Sequence, residues 1–283
     1  MLKVKQLSKK FKNQKGIHQI SFECYPSEVM GIIGDNGSGK STLLKSLALI
    51  NQVDQGVIEL FNKDLCLHDV GFLPEHKAII EDLSGREFIE LFGRMRLVDD
   101  LILEDTIKDF AGALNAHECL DVKIKTLSKG NKQKIQVMAA CISKPALIIL
   151  DEPFSGLDEQ NSTHMKNFIL ELKKNNHIIL ISSHRVEDVE QVCDTLCWIK
   201  EGKLSEKQSV HHLKEQSSII HVKVSLDPFQ QFKEEKGIVD VFHEGHVSIY
   251  TFEQVNLAHQ FMRHVLKHRS IQTVSIHNQV CMP

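Results

Sequence analysis

Lys40 and Ser41 stand near the end of Gly34-Asp35-Asn36-Gly37-Ser38-Gly39-Lys40-Ser41-Thr42, a G-x-x-x-x-G-K-S pattern suited to binding a phosphate chain. Glycines let the backbone curl around an anion without Cβ clashes, so successive N–H groups point inward. Lys40 supplies a cation for the β- and γ-phosphates, and the Ser41 hydroxyl is a ligand for Mg²⁺. A second pair of chemical groups is Asp151-Glu152, which follows the apolar run Ala146-Leu147-Ile148-Ile149-Leu150 and precedes Pro153. Asp151 suits the Mg²⁺ shell, usually through water. Glu152 points to the other side and can polarise a water for attack on a γ-phosphate. The chemistry is that of a nucleoside triphosphatase.

These groups work only if strands and helices bring them together. The phosphate loop lies between the apolar run 29–33 and a segment with helix character, so strand, glycine turn and helix start follow in order. A helix N-terminus adds positive potential where the phosphates sit. The run 146–150 reads as a central buried strand, and in an open α/β sheet its C-terminal end lies beside the phosphate loop. Further strands are expected at 17–25, 28–33, 56–61 and 70–74. From Ser84 the period changes: Ser84-Gly85-Arg86-Glu87 is a capping box, with Phe88, Leu91, Phe92 and Met95 at helical spacing behind it. A second amphipathic segment covers 103–114, and a third helix follows Leu127-Ser128-Lys129-Gly130. Helices at 159–174 and 186–193 then alternate with strands at 177–182 and 195–199. This predicts a mostly parallel sheet covered on both faces.

The composition is that of an ordinary soluble globule, with 42% hydrophobic and 25% charged residues. A formal net charge of −3 gives no reason to expect nucleic acid as the main partner. Residues 1–6 read as an alternating strand and not as a secretory leader, and no apolar stretch approaches the length needed to span a bilayer. The seven cysteines include no CxxC pair, which fits free thiols. Cys193 and Cys197 read as small apolar residues beside a helix-to-strand turn. His264 and His268, four apart on a predicted helix, could share a metal but lack a clear third ligand.

A domain boundary is expected near 206. Residues 1–206 form the nucleotide-binding domain with a helical insert at about 76–142, 207–217 a linker or short helix, and 218–283 a small accessory unit. In that unit strands at 219–225, 237–242, 246–252 and 271–276 and helices at 228–236 and 253–267 give the order βαββαβ, a ferredoxin-like α+β sandwich.

The motifs together resemble those of the ABC (ATP-binding cassette) ATPases. Leu127-Ser128-Lys129-Gly130-Asn131-Lys132-Gln133-Lys134 looks like the family signature, and Phe154-Ser155-Gly156-Leu157-Asp158 like its D-loop. His184 in Ser182-Ser183-His184 resembles its switch histidine, and Phe11 stands where the family stacks an aromatic on adenine. The resemblance covers residues 1–206 and implies a P-loop ABC cassette that binds ATP and Mg²⁺. Glu152 and His184 would be catalytic, Phe11 and Gly34 to Thr42 would hold the nucleotide, and Ser41, Glu75 and Asp151 would hold the metal. Ser128, Lys129, Gly130 and Asn131 would act on the nucleotide of a second subunit.

Two positions depart from the family pattern. Lys129 and Asn131 replace the usual Gly and Gln of the signature, a variant resembling that of exporters for drugs, peptides and lipid-linked polymers. Glu75, in Phe72-Leu73-Pro74-Glu75, replaces the usual glutamine. The resemblance implies a transport subunit at the cytoplasmic face of the cell membrane. Its partners would be a second ATPase subunit (a copy or a paralogue) and a separate transmembrane permease. The competing readings are a soluble ABC ATPase acting on ribosomes or DNA, and an ATP-sensing regulatory module. The basic run at lysines 123, 125, 129, 132 and 134 reads as a solvated face or as a contact for a partner's nucleotide or acidic segment.

Overall fold

The computed structural model describes residues 1–11, 15–75, 79–216, 220–226, 238–244, 247–253, 255–265 and 271–278. The chain divides into two compact units, Met1–Gln208 and Ser209–Pro283.

The first unit begins with β1 (Leu2–Lys10) and β2 (Gly16–Cys24), then β3 (Val29–Ile33), α1 (Lys40–Leu47), β4 (Gln55–Leu60), β5 (Lys63–Asp64) and β6 (Val70–Leu73). The helical insert holds α2 (Gly85–Met95), α3 (Asp100–Ala113) and α4 (Lys129–Cys141). The chain returns through β7 (Leu147–Asp151), α5 (Glu159–Lys174), β8 (Ile178–Ser183), α6 (Val186–Val189), β9 (Thr195–Lys200) and β10 (Lys203–Leu204). Lys63–Asp64 forms a short antiparallel strand beside β4. The helix expected over 186–193 ends at Val189, although Val192 and Cys193 beyond it remain buried.

Two sheets form the frame. The outer one, in the order β2-β1-β4-β5, is antiparallel; Leu2, Val4 and Leu7 of β1 face inward, with a register shift between Val4 and Leu7. In the central sheet the order is β10-β9-β3-β8-β7-β6. Its strands from β9 to β6 are parallel, and β3, β7 and β8 are buried along their whole length. Burial on both faces explains why these strands read as unbroken apolar runs. Met30, Ile32, Ile149 and Leu180 join Leu43, Leu44 and Leu47 of α1 and Leu2, Val4 and Leu7 of β1 in one core. Ile33 pairs with Ser183, and Asp151 with Ser182. The C-terminal ends of β3, β7 and β8 therefore meet at one edge, the place where open α/β sheets bind ligands.

The insert follows its capping signals. The Ser84 Oγ accepts the Glu87 N–H at 3.2 Å, and Glu87 Oε2 accepts the Ser84 N–H at 2.6 Å. Asp99 caps α3 and Ser128 caps α4. The apolar face of α2 is rotated from the expected one: Phe88 and Ile89 are buried, whereas Leu91 and Met95 are exposed. A Cβ on Gly93 would lie 2.5 Å from Leu103 Cδ1. This close crossing with α3 draws the stripe through 85, 89 and 93 inward and turns 91 and 95 out.

The division between units falls within β11 (Gln208–Ser209), and α7 (Val210–Gln216) follows, so the stretch expected as a linker or short helix contains a helix. The second unit comprises β12 (Ile220–Leu226), β13 (Ile238–Glu244), β14 (Val247–Phe252), α8 (Val255–Val265) and β15 (Ile271–Asn278). Its antiparallel sheet runs β13-β14-β12-β15, the strand order of the expected ferredoxin-like arrangement. Val222, Val224, Tyr250 and Phe252 pack against Ala258, Phe261 and Val265 of α8. The helix expected at 228–236 and His268 lie outside the described residues.

Candidate nucleotide site

The glycine loop owes its shape to three positions. A Cβ on Gly34 would lie 2.4 Å from the Ile199 carbonyl oxygen, which restricts the site to glycine. Gly37 and Gly39 have φ of 83° and 117°, values that L side chains rarely adopt. The Gly34 N–H donates to the Ser183 carbonyl at 3.3 Å, tying the loop to the end of β8. Gly39 occupies the N-cap of α1 and offers no side-chain acceptor, so the first amides of α1 are left for an anion. Lys40 is buried, and its ammonium donates to the Gly34 and Asp35 carbonyls at 2.5 and 3.2 Å. It lies 3.9 Å from Glu152 Oε1.

A cleft of about 400 Å³ opens over this loop, lined by Phe11, Asn36, Gly37, Gly39, Lys40, Ser41, Thr42, Glu75 and Glu152. All nine carry a signature legible in the sequence. Lys15 and Gly16, which complete the lining, carry no such signature, because only the hairpin β1–β2 brings them to the cleft. Phe11 is 44% exposed, free to stack a ring, with Lys9 Nζ 5.9 Å from its centroid. Gly34, Asp35 and Ser38 lie outside this lining; they shape the loop, the Asp35 carbonyl also accepting the Ser38 N–H.

Behind the cleft, Asp151 and Glu152 diverge as expected. Asp151 is fully buried. Its Oδ1 accepts the Ser182 hydroxyl at 2.5 Å, while Oδ2 is buried without a hydrogen-bond partner among the described residues. Burial pushes its carboxyl pKa up; the Ser182 hydrogen bond and the nearby Ser41 hydroxyl oppose this, and the Glu75 carboxylate adds to it. An orphaned carboxylate oxygen, with the Ser41 hydroxyl and Glu75 nearby, is a hard oxygen set that fits Mg²⁺. Glu152 has φ of 53°, a left-handed conformation uncommon outside glycine. Its N–H donates to Ser182 Oγ at 3.0 Å, so one hydroxyl holds both neighbours. This role of Ser182 was missed, since Ser182-Ser183-His184 attracts attention only for its histidine. His184 Nδ1 lies 3.0 Å from each Glu152 carboxylate oxygen. Burial raises the Glu152 pKa, and the hydrogen bond and charge of His184 pull the other way.

The signature segment is placed elsewhere. Ser128 Oγ accepts the Asn131 N–H at 3.2 Å at the start of α4. Gly130 is buried against α5, where a Cβ would meet Asn161 Nδ2 at 3.0 Å and Leu157 Cδ2 at 3.5 Å. Asp158 caps α5, accepting from Asn161 N and Nδ2 at 2.7 and 2.8 Å. None of Ser128, Lys129, Gly130, Asn131 and Asp158 lines the cleft. A second, larger groove of about 610 Å³ runs between the insert and the sheet edge, with Phe88 and Phe92 on one side and Val70, Phe72 and Glu75 on the other.

The family model described as ABC transporter matches residues 17–155. An uncharacterized ABC transporter ATP-binding protein of Methanocaldococcus jannaschii is 36% identical over 202 residues, covering 71% of this chain and 75% of that protein. The uncharacterized ABC transporter ATP-binding protein YxlF of Bacillus subtilis is 30% identical over 255 residues, covering 89% of this chain and 86% of the other. Among solved structures, the ATP binding subunit of an ABC transporter superposes with a TM-score of 0.70 at 26% identity, over 76% of this chain and 92% of its own. With a relative 36% identical and matched over most of both chains, the chain belongs to the ABC transporter ATP-binding family.

Proposed function

We propose that this chain is the ATP-hydrolysing subunit of a membrane exporter and that it works in pairs, two copies (or a copy and a paralogue) closing head-to-tail around two ATP molecules. The observation that carries this reading is the one-sided cleft. It has the lysine, the metal-fitting oxygens and the carboxylate base, while Ser128 and Gly130 stand off it. A second molecule's signature completes the lining.

Within each site the loop amides and Lys40 hold the phosphates, and Phe11 stacks on the base. Ser41, Glu75 and Asp151 would hold Mg²⁺, which would supply charge neutralisation at the phosphates. Glu152 accepts the proton of the attacking water, and His184 fixes the direction of that carboxylate. Loss of the bridging γ-phosphate lets the pair open. Such closure moves a transporter only if open and closed pairs differ in ATP affinity.

No described helix is long and apolar enough to cross a membrane, so a separate permease supplies the path at the cytoplasmic face. The apolar groove beside α2 and Glu75 has the size and lining for a helix of that partner. The export direction rests on the likeness of the signature variant. Glu152→Gln tests the reading: it keeps the site's shape, removes the base, and is expected to abolish phosphate release while accumulating an ATP-bound dimer. A variant that stays monomeric with ATP by light scattering would refute the composite site.

A further inference from the structure

The basic run around the signature is resolved by its ion pairs. Lys123 lies 3.5 Å from Glu87, Lys125 3.0 Å from Asp82 and Lys132 2.9 Å from Glu81. Lys134 donates to the Asn115 carbonyl at 3.2 Å. These four are structural ties of the insert. Lys129 differs: it is exposed, and no hydrogen bond or ion pair holds it among the described residues. Its chain instead lies over the D-loop turn. A Cβ built on Gly156, where φ is 70°, would come within 2.0 Å of Lys129 Nζ and 2.8 Å of its Cε. The ammonium therefore rests on bare backbone, a seat that only a residue without a side chain provides and that gives it no counter-charge.

The charge it lacks is present at the nucleotide cleft. Glu75 and Glu152 line that cleft. A triphosphate would add further negative charge to a wall whose buried cation is Lys40.

We propose that Lys129 is a cationic arm of the signature that acts in trans: as two copies close, its ammonium leaves Gly156 and meets the phosphate end of the other copy's cleft, where it offsets the charge of Glu75. This rests on the composite-site reading above. Lys129 occupies the first turn of α4 between Ser128 and Gly130, so any phosphate met by that turn comes within reach of a lysine side chain. In the separated chain the arm has nothing to hold it back, since Gly156 offers neither a carboxylate nor a hydroxyl.

The test uses the full chain carrying Glu152→Gln, with ATP-driven dimerisation read by light scattering and ATP affinity of the monomer read by calorimetry below the dimerising concentration. Adding Lys129→Ala is expected to raise the ATP concentration for half-dimerisation about tenfold, the scale of one charge-assisted bond to phosphate. Monomer affinity should stay unchanged, and Lys129→Arg should restore the midpoint. With Glu75→Gln also present, the Lys129→Ala penalty should shrink to less than about threefold, as expected when two charges interact. Failure of Glu152→Gln itself to dimerise would overturn both the composite site and this proposal. Normal dimerisation of Glu152→Gln with an unchanged midpoint in Lys129→Ala, or with the same penalty whether or not Glu75 is present, would overturn the role of Lys129 alone.

Discussion

His184 Nδ1 lies 3.0 Å from both carboxylate oxygens of Glu152. The imidazole spans the two oxygens and so fixes the plane of the carboxylate, whose Oε1 lies 3.9 Å from Lys40 Nζ.

The pH dependence of turnover follows from that contact. Burial raises the Glu152 pKa, and His184 partly lowers it through its hydrogen bond and charge. A raised pKa keeps the carboxyl protonated, and thus inactive as a base, to higher pH. The acid limb of the phosphate-release rate should therefore lie above the ordinary carboxylate range. His184→Ala removes the lowering influence, so the limb should move further up, while the plateau rate falls about 10²-fold. A limb that stays in place or moves down would show that His184 does not tune Glu152.

Ser182→Ala should cost stability and metal affinity together. The hydroxyl donates to Asp151 Oδ1 and accepts the Glu152 N–H, and all three residues are buried. Its loss leaves both groups unsatisfied, so urea denaturation should show a loss of about 1–3 kcal/mol. Without that bond Asp151 is held less firmly toward the metal position, and the Mg²⁺ concentration needed for half-maximal hydrolysis should rise. Stability and Mg²⁺ requirement equal to those of the unmodified protein would remove Ser182 from the site.

Lys40→Ala should lower ATP affinity by about 10- to 150-fold, the value of a charge-assisted hydrogen bond of roughly 1.5–3 kcal/mol. The Lys40 ammonium is turned onto the Gly34 and Asp35 carbonyls, which keeps it over the loop. Calorimetric titration with ATP reads the change, and an unchanged affinity would mean that the loop does not hold phosphate.

Local signals carried much of this architecture into view. The capping box at Ser84 and Glu87, the apolar run before Asp151 and the glycine pattern of 34–39 each depend on residues close in the chain, and each appears as expected. Signals that depend on a distant element were read less well. Leu91 and Met95 have helical spacing for a buried face, yet α3 crosses at Gly93 and leaves them in solvent. The apolar positions after Val186 suggested a helix to 193, but α6 stops at Val189; Val192 and Cys193 are buried without being helical.

The sequence alone determined the chemical inventory: a lysine and a serine at the end of a glycine loop, two carboxylates behind a buried strand, and a histidine farther along. Those assignments follow from residue type and short spacing, which the covalent chain preserves in any fold. Only the tertiary structure decided which groups touch. Pairing of β7 with β8 puts Ser182 opposite Asp151, so that one hydroxyl serves two acidic neighbours, and parallel register carries His184 onto Glu152. It also separated Lys129 from the other lysines of its run. Whether a lysine is paired depends on acids contributed by distant segments, here Glu81, Asp82 and Glu87, and no local pattern encodes where those acids come to rest.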